Sequence, residues 1–179
     1  MSSPTASAPT LTDGPLRQAL RAELETTRQA FYALLAGLTP EDWQRPSLNP
    51  AWTTGEILTH ITGYLFIIPS QLVLLQTRTF PDLTQESADA LNDDNVRQTR
   101  EDAQAQSLSS IAQTYETAHA ATLAALVTVR NDEWQLGAQM PDMGPTFSGE
   151  YRTIEGLFRY HARHFAEHVA QVPGVAVPR

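Results

Sequence analysis

The order of apolar and polar residues along the chain predicts long amphipathic helices and no series of alternating strands. After Pro15, leucines and aromatic residues recur at steps of three and four, which is the spacing of an apolar stripe on a helix. The stripe of this first helix consists of Leu16, Leu20, Leu24, Phe31, Leu34, Leu35 and Leu38. Asp13-Gly14-Pro15 predicts its start, because proline suits the first turn of a helix.

The second helix has the clearest start in the sequence. Thr53-Thr54-Gly55-Glu56 matches a capping box, in which a hydroxyl and a carboxylate satisfy free backbone N–H groups. Pro69 is expected to kink or end this helix. A third helical region is predicted from about Asn92 to Val129, with a break near Ser107. The inner stripe of the second helix is Ile57, His60, Ile61, Tyr64 and Ile68.

The last helix is predicted from about Thr153 to Val172, before Pro173-Gly174. The segment Gly137 to Gly149, rich in proline and glycine, predicts an irregular loop before it. Four main helices in one domain predict an all-α fold, an antiparallel four-helix bundle. We expect residues 14–173 to form this single domain, with a disordered leader over 1–13 and a short tail over 174–179.

The composition excludes several kinds of chemistry. The 179 residues contain no cysteine and no lysine, so there is no thiol nucleophile, cysteine metal site, Schiff base or P-loop. The net charge of −8 is unlike that of a nucleic-acid-binding protein. The first residues, Met1 to Thr12, lack the basic and apolar regions of a signal peptide. The apolar stretch Gly63 to Leu75 is shorter than the ~20 residues that a membrane-spanning helix needs. We therefore expect a cytoplasmic protein that binds neither nucleic acid nor membrane.

Four of the five histidines occupy inward positions of two predicted helices. His164 and His168 are one turn apart, so two imidazole nitrogens can bind one ion at ~2.0–2.1 Å. His60 on the second helix could supply a third nitrogen, which leaves open coordination positions of the catalytic kind. His161 could replace His168 as a ligand, and His119 is assigned to structure or surface. The buried stripe of the last helix is Ile154, Leu157, Phe158, His161, His164, Phe165, His168 and Val172.

Simpler interpretations stay open beside the metal site. A single inward histidine is more often a core residue bonded to a carbonyl or carboxylate, so a plain helical bundle is an alternative. Glu56, one turn before His60, could act as a general base, but the capping box explains it fully. Tyr64, one turn after His60, could reach a substrate oxygen, although core packing explains it as well. Glu56, Tyr64 and His161 are the candidate catalytic residues.

Three segments resemble the DinB/YfiT-like superfamily: Leu38 to Trp43, Trp52 to Ile61, and the His-x3-His segment His164 to Val172. The resemblance extends from about Pro15 to Val172 in the same order. It implies an up-down-down-up four-helix bundle, often a homodimer. It also implies a divalent metal ion, commonly nickel or zinc, on His60, His164 and His168.

Some enzymes of this superfamily use the thiols mycothiol or bacillithiol in S-transfer or isomerisation reactions. Other members are hydrolases. Because this chain has no cysteine, sulfur for such a reaction must come from a small-molecule cofactor. The resemblance therefore favours a metal-dependent enzyme, a thiol transferase, isomerase or hydrolase, that acts on a small-molecule substrate. The alternative is a non-catalytic metal-binding or stress-response helical bundle.

Overall fold

Helices dominate the part of the chain that the computed structural model describes, which comprises residues 14–81, 84–140 and 151–174. A short 3-10 helix spans Pro40–Gln44, and strands β1 (Gly137–Gln139) and β2 (Tyr151–Thr153) pair antiparallel. The fold is predominantly α, as the sequence predicts. The predicted leader and the tail beyond Gly174 lie outside the described residues. The helices are α1 (Pro15–Ala36), α2 (Thr54–Thr77), α3 (Gln85–Gln104), α4 (Leu108–Thr128) and α5 (Ile154–Val169).

Four of the helices form a bundle around one apolar core. Helix α1 packs against α4 and α5, and α2 packs against the same two helices, so the cyclic order is α1, α4, α2, α5. Helix α3 lies outside this ring and packs against α2. The core includes Leu20, Leu24, Phe31, Trp43, Ile57, Ile61, Leu65, Ile68, Ile111, Tyr115, Leu126, Leu157 and Phe158.

The predicted third helical region is two helices, separated near Ser107 as expected. The predicted start at Asn92 is wrong, because α3 begins at Gln85 with the Thr84 hydroxyl accepting a bond from the backbone N–H of Ser87 at 3.2 Å. The buried residues of α3 are the small Ala88, Thr99 and Ala103. Such residues leave no apolar stripe, so hydrophobic spacing gives no signal for its first turns.

Pro69 lies inside α2 and does not end it, since the helix continues to Thr77. A proline lacks the N–H that would bond the carbonyl four residues earlier, which here belongs to Leu65. The hydroxyl of Thr122 on α4 donates to that carbonyl at 3.0 Å. A neighbouring helix therefore supplies the missing donor.

The prediction of an irregular loop before α5 is wrong for its first residues, Gly137–Gln139, because they form β1 and pair with β2. Gly137 makes the pairing possible, because a Cβ at this position would lie 2.2 Å from the carbonyl oxygen of Arg152. Residues 141–150 of the predicted loop lie outside the described part of the chain. Strand β2 leads directly into α5, and β1 contacts α2.

Helix α2 is longer than the sequence predicts, and its length and hydropathy now match those of a membrane-spanning helix. Among the described residues it is the one helix long and apolar enough to span a bilayer by length and composition, and half of its most apolar stretch is buried. A core helix has the same properties. The expectation that the protein binds no membrane stays a prediction.

Candidate metal centre

Helices α2 and α5 bring together the three histidines that the sequence analysis singled out. The Nε2 atoms of His60 and His164 are 3.0 Å apart. One nitrogen from each of His60, His164 and His168 lies within 4.8 Å of the other two. His164 is buried, and the other two are half-buried.

The start of α2 fixes the orientation of His60. The backbone N–H of Thr53 donates to Glu56 Oε2 at 2.7 Å, and the N–H of Glu56 donates to Thr53 Oγ1 at 3.2 Å. This capping box sets the phase of the helix and therefore the face on which His60 lies. On α5, His164 and His168 share one face because they are four residues apart.

The spacing of the nitrogens suits a divalent metal ion. Two nitrogens at 2.0–2.1 Å from an ion are about 2.9 Å apart at a right angle and about 3.4 Å apart in tetrahedral geometry. The 3.0 Å between His60 and His164 lies in this range. The third nitrogen, from His168, lies within 4.8 Å of the other two. Imidazole nitrogen is a preferred ligand of zinc and nickel, so the residues present fit such an ion.

The surroundings keep the three imidazoles neutral. Burial and the nearby His168 lower the pKa of His60 to about 3. Burial, followed by the neighbouring histidines, lowers the pKa of His164 strongly, and burial also lowers that of His168. A metal ion binds the neutral form of histidine. At neutral pH the three imidazoles can therefore bind a metal ion without first losing a proton.

Aromatic side chains form the walls of the site. The Trp52 ring lies 4.6 Å from the ring of His60 and stacks on His168 at 5.8 Å. The Tyr64 ring lies 4.8 Å from His164, and its hydroxyl donates to the carbonyl of Leu157 at 3.4 Å. Burial raises the pKa of Tyr64, so the hydroxyl stays protonated. These rings therefore pack directly against all three histidines.

The other candidate residues lie outside the group of three. Glu56 is engaged at the start of α2, and its Oε1 is 3.9 Å from Arg100 Nε. His161 lies on α5 beyond Tyr64, where its Nε2 is 3.3 Å from the hydroxyl of Tyr115. Burial lowers the pKa of His161 to about 3. His119 is buried, with its ring 6.2 Å from that of Tyr115.

Two contacts of the site could not be found from sequence spacing. Asn95 on α3 places its side-chain amide 3.5 Å from His60 Nδ1, and Trp52 contacts two of the histidines. Asn95 lies in an acidic, exposed stretch whose position against α2 depends on tertiary packing. Trp52 belongs to one of the segments that carry the family resemblance, but that motif does not specify its ring contacts.

Comparisons with known proteins agree with this architecture. The profile of the mycothiol maleylpyruvate isomerase N-terminal domain matches residues 24–173. A crystal structure of the mycothiol-dependent maleylpyruvate isomerase superposes with a TM-score of 0.68 at 13% identity, over 96% of this chain and 68% of that chain. A histidine-to-alanine mutant of that enzyme gives the same TM-score at 12% identity, with the same coverage. No curated protein matches the chain by sequence. The structural likeness shows the shared DinB/YfiT-like fold.

Proposed function

This chain belongs to the mycothiol maleylpyruvate isomerase N-terminal domain family, and from this premise we propose that it is a metal-dependent enzyme that uses a small-molecule thiol to isomerise a small-molecule substrate. The observation that carries the proposal is the convergence of His60, His164 and His168 from two helices. Three neutral imidazoles at one point are costly to bury without a partner, and a divalent ion would be such a partner.

In this proposal His60, His164 and His168 would hold a nickel or zinc ion. When bound, such an ion would supply Lewis acidity, which lowers the pKa of a thiol or water and polarises a carbonyl. Trp52 packs against the rings of His60 and His168 and helps to keep them in place. Tyr64 stays protonated against His164, so its hydroxyl is a donor and not a base.

The thiol in this proposal is mycothiol, because the family takes its description from a mycothiol-dependent enzyme. Bacillithiol is the other thiol that the resemblance implies. The chain has no cysteine, so the protein itself supplies no sulfur nucleophile. S-transfer and hydrolysis remain the neighbouring activities for the same site. The homodimer, the cytoplasmic location and the absence of nucleic-acid binding stay predictions from the sequence.

Elemental analysis tests the metal centre. We expect the purified protein to retain close to one equivalent of nickel or zinc, and His164→Ala to lose it. His161→Asn is the matched control, because it removes a buried histidine of the same helix that lies outside the group of three. Equal metal content in His164→Ala and the wild type would contradict the ligand assignment.

A turnover assay separates an enzyme from a metal-binding protein. The metal-loaded protein is incubated with mycothiol and maleylpyruvate, and in parallel with bacillithiol and a panel of small electrophiles. We expect conversion that requires both the thiol and the metal and that His164→Ala abolishes. Retained metal with no conversion in any arm would favour the non-catalytic metal-binding bundle instead.

A further inference from the structure

The side-chain amide of Asn95 lies against the outer edge of the His60 ring. Asn95 Nδ2 is 3.5 Å from His60 Nδ1, whereas His60 Nε2 is 3.0 Å from His164 Nε2. The two nitrogens of an imidazole lie on different sides of the ring, so His60 presents Nε2 to the other histidines and Nδ1 to α3. Asn95 is therefore within reach of the nitrogen that would not bind the ion.

Helix α3 holds Asn95 at this position through its own contacts with α2. Asn95 is four residues before the buried Thr99 and eight before the buried Ala103, so the three share the face of α3 that packs against α2. The guanidinium of Arg100 donates to the carbonyl of Ala51, shortly before α2 begins, at 3.0 Å. The backbone of α3 is thus anchored beside the first turns of α2, where His60 lies.

The charged side chains next to Asn95 pair within α3 instead. Asp94 pairs with Arg97 at 2.9 Å, and Glu101 pairs with the same arginine at 3.3 Å. All three of these side chains are exposed. Asn95, by contrast, contacts a residue of another helix. Its amide is therefore directed at α2 and not at the ion pairs of its own helix.

An asparagine suits this position because its amide can pair with either form of the ring. A metal ion binds one nitrogen of a neutral imidazole, and the proton then lies on the other nitrogen. For His60 that proton would be on Nδ1, where the carbonyl oxygen of the Asn95 amide can accept it. When the proton is on Nε2, the amino group of the same amide donates to Nδ1. Such a partner fixes the ring and makes the coordinating nitrogen more basic.

We propose that Asn95 is a positioning residue of the metal centre, whose amide holds His60 Nδ1 so that Nε2 faces the ion. This inference rests on the proposed metal centre but does not require the protein to be an enzyme. It gives α3, which lies outside the ring of four helices, a part in metal affinity.

The affinity of the full-length protein for zinc and for nickel tests this role, measured by competition with a chromogenic chelator. Asn95→Leu keeps a side chain of similar size and removes both hydrogen-bonding groups. We expect it to bind the metal about 10–100-fold more weakly, which is typical for the loss of such a partner. Asn95→Asp keeps an oxygen that accepts the Nδ1 proton, so its affinity should be at least that of the wild type.

Asn92 is the matched control, because it is an exposed asparagine of the same helix, three residues before Asn95. Asn92→Leu should bind the metal as the wild type does, and equal weakening in both leucine variants would overturn the inference as a general effect on α3. Asn92→Asp measures the contribution of an added negative charge. The difference between Asp and Leu should therefore be larger at position 95 than at position 92, and equal differences would overturn the inference.

Wild-type affinity in Asn95→Leu would overturn this inference and leave the metal centre intact. If the wild type binds neither zinc nor nickel, the metal centre itself is wrong and the inference falls with it. The metal-free Asn95→Leu protein should unfold at the same urea concentration as the wild type, because Asn95 is exposed. A lower midpoint in the metal-free protein would assign Asn95 a purely structural role instead.

Discussion

Gly55 lies where the first turn of α2 passes the Trp43 ring, and this contact allows a test at the level of one residue. A Cβ at position 55 would lie 2.5 Å from Trp43 Cε2. Gly55→Ala therefore forces the buried indole or the helix to move. We expect the free energy of unfolding to fall by about 1–3 kcal/mol, which is typical of overpacking. Urea denaturation followed by circular dichroism measures it.

Gly63 is the matched control for this substitution. It lies in the same helix and is exposed, and a Cβ at this position would have no described atom within 4 Å beyond the backbone of its own helix. Gly63→Ala should raise the free energy of unfolding by about 0.5–1 kcal/mol, because alanine favours the helix. If both substitutions had the same sign, the steric explanation for Gly55 would be wrong.

The sequence also predicts which histidines share a face, and the reason is helical periodicity. A period of 3.6 residues places His164 and His168 on one side of α5, and the capping box of α2 fixes the phase of His60. Periodicity does not separate His161 from this group, since it belongs to the same buried stripe. Its hydrogen-bond distance to Tyr115 depends on how α4 packs against α5.

At the level of secondary-structure elements, Pro69 shows that the local sequence does not reveal a hydrogen-bond donor supplied by another helix. A proline is expected to kink or end a helix because it removes a hydrogen bond, yet α2 continues to Thr77. The compensating donor, Thr122, is 57 residues away from Leu65, on α4. No local pattern identifies that partner. The same limitation applies to α3, whose position is set by packing against α2.

The contact between Thr122 and Leu65 predicts an energetic coupling with Pro69. Thr122→Val removes the donor and leaves the buried Leu65 carbonyl without it, so we expect a loss of about 1–3 kcal/mol in the free energy of unfolding. Pro69→Ala restores a backbone N–H that can bond the same carbonyl. In that background the cost of Thr122→Val should fall below about 1 kcal/mol.

A double-mutant cycle from urea denaturation of the four proteins measures this coupling. Thr62→Val in both backgrounds is the control, because its hydroxyl bonds the Leu58 carbonyl within α2 and is unrelated to Pro69. Equal costs of Thr122→Val with and without Pro69 would show that the hydroxyl does not replace the missing donor.

For the whole molecule, the histidines share a response to pH. The pKa of every one of the five is lowered, in each case first by burial, and those of His60 and His161 fall to about 3. The unfolded chain takes up protons near the ordinary histidine pKa of about 6.5, whereas the folded protein does not. Unfolding is therefore favoured as the pH falls below that value.

Carboxylates respond in a different range of pH. The backbone N–H of Thr39 lowers the pKa of Asp42 from its ordinary value of 3.8. Stability that depends on this group is fully present above the pKa of the unfolded state and is lost as the pH falls through the folded value. Between about pH 5 and pH 7 the histidines therefore dominate the change in stability, and acidification should lower it.

His161 offers the clearest test of this pH dependence, because it is fully buried and lies outside the group of candidate ligands. Lowering the pH from about 7 to about 5 should cost the metal-free protein about 2 kcal/mol through this residue alone, since only the unfolded state is protonated there. His161→Asn should reduce the difference in unfolding free energy between the two pH values by that amount.

Tyr115→Phe is the control, because it removes the hydrogen bond to His161 but keeps the imidazole. It should lower stability at both pH values and leave the difference close to that of the wild type. An unchanged difference in His161→Asn would mean that this histidine takes up a proton in the folded protein as readily as in the unfolded chain.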